Sequence, residues 1–204
     1  SVCAQPELKK YPEPEFSNEV YYLKKDSVNS VVRLEKTSSK VESKVKLGGF
    51  GGSESAYPIE GGKSTTRLNT ANTNSFIFST GASIKKSNSM ADSMMIANGM
   101  DPNMMQDMMG GMNDPASTMV LYKAETASGN RKILLQKNPG AMPFGSKKQK
   151  TGDKYTFSVK KIRDGYWELV IDKTLLKGEY AFTFSGMGMS SSDGSVTLFA
   201  FGVD

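Results

Sequence analysis

The chain has 204 residues, 37% hydrophobic and 23% charged, with a net charge of +5; that balance fits one globular domain and excludes wholesale disorder. It contains no histidine and a single cysteine, Cys3. A Ser-His-Asp triad, a Cys-His dyad, an HExxH zinc site, an internal disulfide and a CxxC redox motif are therefore excluded within it.

The first residues, Ser1-Val2-Cys3-Ala4-Gln5, place small side chains three and one positions before Gln5, as signal peptidases prefer. Export with cleavage before Gln5 is the first reading, to the periplasm or cell surface of a Gram-negative envelope. Lipid anchoring through Cys3 ranks second, because Val2 stands where Gly or Ala is expected, and a cloning remnant is the bland alternative. No run of about 18 apolar residues occurs, so no transmembrane helix is expected. Residues 1–18 read as a signal remnant and a proline-rich leader. Pro6, Pro12 and Pro14 keep that leader out of helices and central strands.

Residues 19–204 read as a single β-domain. Val20–Leu23 and Val31–Glu35 flank the polar turn Lys24-Lys25-Asp26-Ser27 and suggest a hairpin with a four-to-five-residue connection. Further strands are expected over Lys44–Leu47, Thr65–Leu68, Phe76–Ser79, Thr118–Lys123 and Lys132–Gln136. Tyr155–Val159 and Tyr166–Ile171 are joined by Arg163-Asp164-Gly165, a D-G hairpin turn. Glu179–Ser185 and Ser195–Gly202 close the chain. Tyr180, Phe182 and Phe184 share one face at period 2. Many short strands with Gly, Ser, Asn and Asp between them predict an antiparallel β-sandwich or barrel. Trp167 belongs to its core.

Ten of the thirteen methionines lie between Met90 and Met119. Asp101-Pro102 can cap a short helix that Gly110-Gly111 ends, and Ser89 can cap another over Met90–Ala97. The window 88–114 thus predicts a helical-hairpin insertion in the β-domain, with Met90 and Met94, Met104 and Met108, and Met105 and Met109 spaced i,i+4. Neither helix is long enough to persist alone. Three roles stay open. Docking on its own domain is the ordinary one. A contact surface for a protein partner would use Met90, Met94, Met95, Met104, Met105, Met108 and Met109. A soft-metal site for Cu(I) or Ag(I) would draw on Met104, Met105, Met108, Met109, Met112, Met187 and Met189.

Gly61-Gly62-Lys63-Ser64-Thr65 has the tail of a phosphate-binding loop, but Tyr57 occupies the required first glycine and a strand follows, so a nucleotide site is rejected. Gly48–Gly52 reads as a wide turn. The basic run Lys147-Lys148-Gln149-Lys150 reads as a solvated loop, and no nucleic-acid-binding motif accompanies it. No D-x-D-x-D-G calcium loop is present.

Val20-Tyr21-Tyr22-Leu23 through Leu34-Glu35, Ile59–Ser64, and Leu175–Phe182 leading to Phe201-Gly202-Val203-Asp204 together resemble a loose group of exported, uncharacterised bacterial all-β envelope proteins that end in a GEYAF…FGVD signature. The resemblance implies an all-β fold and export; it carries no activity, cofactor or catalytic residue, and the methionine window departs from its pattern. Gly178, Glu179 and Gly202 suggest a tight turn into the penultimate strand and a closing strand fixed in the sheet. The sequence thus points to a non-catalytic exported β-domain, structural or adaptor-like, with a protein partner in the envelope and no cofactor. The alternative is a periplasmic Cu(I)/Ag(I) protein using methionine thioethers.

Overall fold

The computed structural model describes residues 11–46, 51–69, 75–80, 97–99, 118–140, 148–185 and 191–204. Every regular element among them is a strand. Five form an antiparallel sheet in the order β12 (Phe157–Arg163), β13 (Tyr166–Ile171), β7 (Ser75–Ser79), β1 (Glu19–Lys25) and β2 (Asn29–Arg33). The expected D-G turn joins β12 to β13, with Arg163 facing Tyr166 and Gly165 at φ 70°. The β1–β2 connection is shorter than expected: Lys25 pairs with Asn29, leaving Asp26, Ser27 and Val28 to turn.

The second sheet runs β3 (Glu35–Ser39), β15 (Val196–Val203), β14 (Gly178–Phe184), β8 (Met119–Ala127), β9 (Asn130–Pro139), β5 (Gly52–Ile59) and β4 (Glu42–Val45). Only Lys40 and Val41 separate β3 from β4 in the chain, yet these strands sit at opposite ends of that order. The sheet must therefore curl, and Ser39 Oγ donates to the Pro58 carbonyl at 2.6 Å across the seam. Residues 29–45 make one extended run that crosses between the sheets at the buried Leu34, a strand-switching corner. β6 (Arg67–Leu68) pairs in parallel with β15. β10 (Lys150–Thr151) pairs with β9 and β11 (Lys154–Tyr155) with β8, filling the fork where those two strands part. Gly152 in that fork is obligatory, since a Cβ would lie 1.9 Å from the Leu134 carbonyl oxygen.

The alternation of β14 is as the sequence implied. Tyr180 and Phe182 are buried between the sheets, with Phe184 packed against the edge of that core. Phe76 supplies its centre, its ring centroid 5.0 Å from those of both Phe182 and Phe201. Trp167 stacks on Phe78 in the same layer. The opposite face of β14 and β15 lines the inside of the curl, where Ala181, Ala200 and Leu198 meet Tyr122 and Ile133. Small side chains are needed there because a curved sheet crowds its concave face.

The described part of the leader, from Tyr11, is neither helix nor strand. It lies over the outer face of the five-stranded sheet, against Tyr21, Leu23, Ile77 and Tyr166. Tyr166 Oη donates to the Pro12 carbonyl at 2.5 Å, and the Phe16 amide donates to Tyr21 Oη at 3.0 Å.

Several expected strands shift. The segment read as one strand over Val31–Glu35 divides at Leu34 between two sheets, and Thr65–Leu68 contributes only the two-residue β6. β5 was not anticipated. Its Pro58 is tolerated because β4 covers β5 only as far as Ala56, so no ladder bond is lost at position 58 on that side. Of the window 88–114, only Ala97, Asn98 and Gly99 are described, so the expected helical hairpin lies outside the described residues.

Candidate functional site

Met90, Met94, Met95, Met104, Met105, Met108, Met109, Met112, Met187 and Met189 all lie outside the described residues. Met119, at the far end of the cluster, is core, 4% exposed in β8.

The densest polar chemistry among the described residues is a charged seal at one end of the curled sheet. Arg131, second residue of β9, is 2% exposed and points into the curl. Its Nε donates to the Gly61 carbonyl at 2.9 Å. Its Nη2 donates to the Glu60 carbonyl at 2.9 Å and to Glu35 Oε1 at 2.7 Å. Nη1 lies 3.7 Å from Glu179 Oε2. Glu35 on β3 accepts in turn from the Ser64 hydroxyl at 2.6 Å and the Thr65 amide at 2.8 Å. Glu179 on β14 accepts from the Ser64 amide at 2.8 Å and from Arg67. Arg67 also reaches Asp204 through Nη2 at 2.5 Å and Nε at 3.2 Å.

This arrangement gives the GGKST segment its meaning. The amides that a phosphate-binding loop would offer to an anion are spent here on the chain's own carboxylates. It also explains the GEYAF…FGVD ending. Glu179 and Gly202 are cross-strand partners, and Gly202 carries no side chain because the Arg67 guanidinium lies over it. A Cβ there would sit 1.7 Å from Arg67 Nη1.

Two more buried carboxylates serve the five-stranded sheet. Glu19 accepts from Nε and Nη2 of Arg33, at 2.8 and 2.9 Å, and from Lys36 at 2.9 Å. Glu168 accepts from Tyr11 Oη at 2.7 Å. Lys25 sits against its other oxygen as an ion pair without hydrogen-bond alignment. Burial by itself would raise the pKa of Glu35, Glu19 and Glu168, but the cations and donors around each outweigh it and hold all three below the usual range. Tyr11 is pushed the other way, to about 12, by burial and then by its bond to Glu168.

A groove of about 960 Å³ opens nearby, over β3, β4, β5 and the start of β9. Much of its wall is the face of these strands turned away from the curl's apolar interior: Lys44 faces Glu54, Glu42 faces Ala56, and Pro58 faces Lys132. Lys132 and Lys137 share Glu54, whose pKa falls chiefly through its bond to Lys132. The groove is open, polar and of mixed charge. Among the described residues, no three Asp, Glu or Cys side chains converge to hold a metal ion, and no helix is long and apolar enough to cross a membrane.

The fold and the seal define an all-β domain of two sheets, one curled and closed at one end by buried ion pairs. The chain matches no protein-family model, no curated protein and no solved structure.

In the sequence Glu179, Gly202 and the GGKST loop stand out separately and Glu35 only as the end of an expected strand; Arg131 and Arg67, which join them, do not stand out. The one local signal was a lone arginine beginning the apolar run Arg131-Lys132-Ile133-Leu134-Leu135. An arginine facing inward on a core strand must bring a carboxylate with it.

Proposed function

We propose that the protein is a non-catalytic β-domain that acts by binding, as a structural or adaptor component of the bacterial cell envelope. The observation that carries this reading is the state of the buried carboxylates. An enzyme without histidine would need another side chain free to act: a carboxyl group with a raised pKa as general acid, an unencumbered one as base or nucleophile, or a lysine, tyrosine or hydroxyl group activated by such a neighbour. Glu19, Glu35 and Glu168 are instead each committed to cationic partners and depressed. Their chemistry is that of fold-fixing ion pairs. The envelope location rests on Val2-Cys3-Ala4 ahead of Gln5, and the contact surface on the methionine cluster from Met90 to Met109.

Affinity capture from native envelope fractions, followed by mass spectrometry, tests it. The full chain retains a defined envelope protein, and replacement of residues 90–112 by a short Gly/Ser linker releases that partner while melting stays nearly unchanged. Capture of nothing specific, or early melting of the linker variant with no partner in the wild type, rejects the reading. The concentration of methionine in one window favours one second reading, thioether binding of Cu(I) or Ag(I). Competition with a chromogenic Cu(I) chelator under reducing conditions decides that one.

A further inference from the structure

From Tyr11 to Phe16 the leader crosses the outer face of the five-stranded sheet, from the β12 and β13 side to the β1 and β2 side. Glu168 of β13 accepts from the Tyr11 hydroxyl, Tyr166 of β13 donates to the Pro12 carbonyl, and Arg163 of β12 pairs with Glu13. At the other end the Phe16 amide donates to Tyr21 of β1, and the Arg33 guanidinium of β2 lies 4.3 Å from the Phe16 ring centroid. A segment that runs across strands cannot join their ladder, so its backbone groups need other partners. Pro12 and Pro14 remove two amide donors from that requirement. The four steps from Pro12 to Phe16 cover about 12 Å at the rise of a polyproline II helix. From β13 to β1 and β2 is two to three strand spacings, about 10–14 Å.

Aromatic-lined surfaces take proline-rich segments in this way, through side chains that read carbonyls and flanking charges and not through a ladder. Each contact selects a residue type. Glu168 asks for a hydroxyl, Arg163 for an acid, and Arg33, itself anchored by Glu19, for an aromatic ring. Tyr166 receives Tyr11 edge-on at 6.2 Å and carries Arg163 over its own ring at 4.3 Å. The floor is apolar: Tyr21, Leu23, Ile77 and Tyr166 are all at most 3% exposed beneath the leader. The leader itself is held lightly. None of its described residues is buried, and the Glu13 side chain is 69% exposed. Segments with exposed bonds and few buried contacts open locally at low free energy.

We propose that this face is a recognition site for acidic proline-rich segments of a protein partner, of the pattern Tyr-Pro-acid-Pro-acid-aromatic, and that the chain's own leader occupies it as an autoinhibitory ligand. Opening of the leader uncovers the apolar floor together with Arg163, Glu168 and Arg33. Tethering gives the leader an effective concentration in the millimolar range, so a free segment binds the wild type weakly and binds well once the leader is loosened.

Fluorescence anisotropy with a labelled peptide carrying residues Tyr11 to Asn18 tests this on the full chain. Y11A/E13K removes the hydroxyl bound to Glu168 and sets lysine against Arg163, and the peptide should bind this variant at least tenfold more tightly than the wild type. Glu13→Lys alone, at an exposed side chain, gives a smaller gain in the same direction and guards against a folding defect in the double variant. The peptide with P12A/P14A should bind several-fold more weakly. Arg163→Glu should reverse the charge preference, losing the native peptide and accepting the E13K peptide. Equal affinity for the wild type and Y11A/E13K overturns the proposal, as does no binding to Y11A/E13K at about 1 mM peptide, the upper range of such tethers. Indifference to P12A/P14A, or an Arg163→Glu chain that does not change its preference, overturns it as well. These measurements involve no envelope partner and no change at residues 90–112, so this proposal and the reading above fail separately.

Discussion

Replacing Arg131 with methionine keeps the length and most of the apolar stem while removing the guanidinium that closes the curled sheet. The structure sets the size of the effect. Arg131 is 2% exposed and makes short bonds to Glu35 and to the carbonyls of Glu60 and Gly61. In the variant both carbonyls lose their donor, and Glu35, whose side chain is 17% exposed, keeps its charge without its ion-pair partner. Removing one member of a buried pair costs about 3–5 kcal/mol. That is a large part of the roughly 5–15 kcal/mol that separates folded from unfolded states in ordinary domains. For a chain of this length it corresponds to a fall in Tm of about 6–20 °C. Urea denaturation at neutral pH reads it directly, with the slope unchanged if only stability has moved. The pH dependence gives a second signature. Without Arg131, Glu35 loses the partner that lowers its pKa most and keeps only the Ser64 hydroxyl and the Thr65 amide against its burial, so its folded pKa rises towards the unfolded value. The stability that the wild type loses on acidification is then lost less steeply in the variant. A loss below about 1 kcal/mol, as seen for exposed pairs, or an acid limb as steep as that of the wild type, would refute the reasoning.

Gly202→Ala drives the Arg67 guanidinium off β15 and breaks its bonds to Glu179 and Asp204; denaturant melts should show a loss of about 1–3 kcal/mol. G202A/R67A should be no worse than R67A alone, since both remove the same contact. Tyr11→Phe removes the hydroxyl bound to Glu168 and should cost about 1.5 kcal/mol, with hydrogen exchange rising locally in β13 and at the leader. In the wild type, the depressed pKa values of Glu19, Glu35, Glu54 and Glu168 contribute stability above the unfolded carboxylate value, near 4.3, that is lost as pH falls through the lower folded values. Tyr11, raised to about 12, contributes stability below the unfolded tyrosine value that is lost as pH rises through roughly 10 to 12. With no histidine to titrate between, a thermal-stability scan should show a plateau from about pH 5 to 9, and a step near pH 6.5 would contradict it.

What the sequence disclosed, and what it hid, follows from where information sits in a β-fold. Tyr180, Phe182 and Phe184 advertised their strand because an apolar face alternates with a smaller one, and Asp164-Gly165 advertised its turn because only certain residues accept that backbone. β3, Glu35 to Ser39, has no apolar alternation to read: its Glu35 belongs to an ion-pair network and Ser39 to a bond with Pro58. β5 was masked by Pro58 and by small polar residues. Its pairing with β9 involves residues about 80 positions away, which local propensity does not report. The seal was the least legible feature. Its members stand at positions 35, 60–67, 131, 179 and 204, and only folding brings them together. Glu179, Gly202 and the GGKST loop each stood out locally, yet what unites them is two arginines in unremarkable contexts.

The reading of these buried carboxylates as structural, and of the protein as one that binds without catalysing, is tested most directly by turnover. The purified full chain is assayed on peptide, ester, phosphate and glycan panels alongside Glu35→Gln, Glu168→Gln and Glu179→Gln. The account predicts no hydrolysis above background in any of the four proteins, with the three variants distinguished from wild type by lowered Tm alone. Reproducible turnover by the wild type that one of these substitutions abolishes would contradict it.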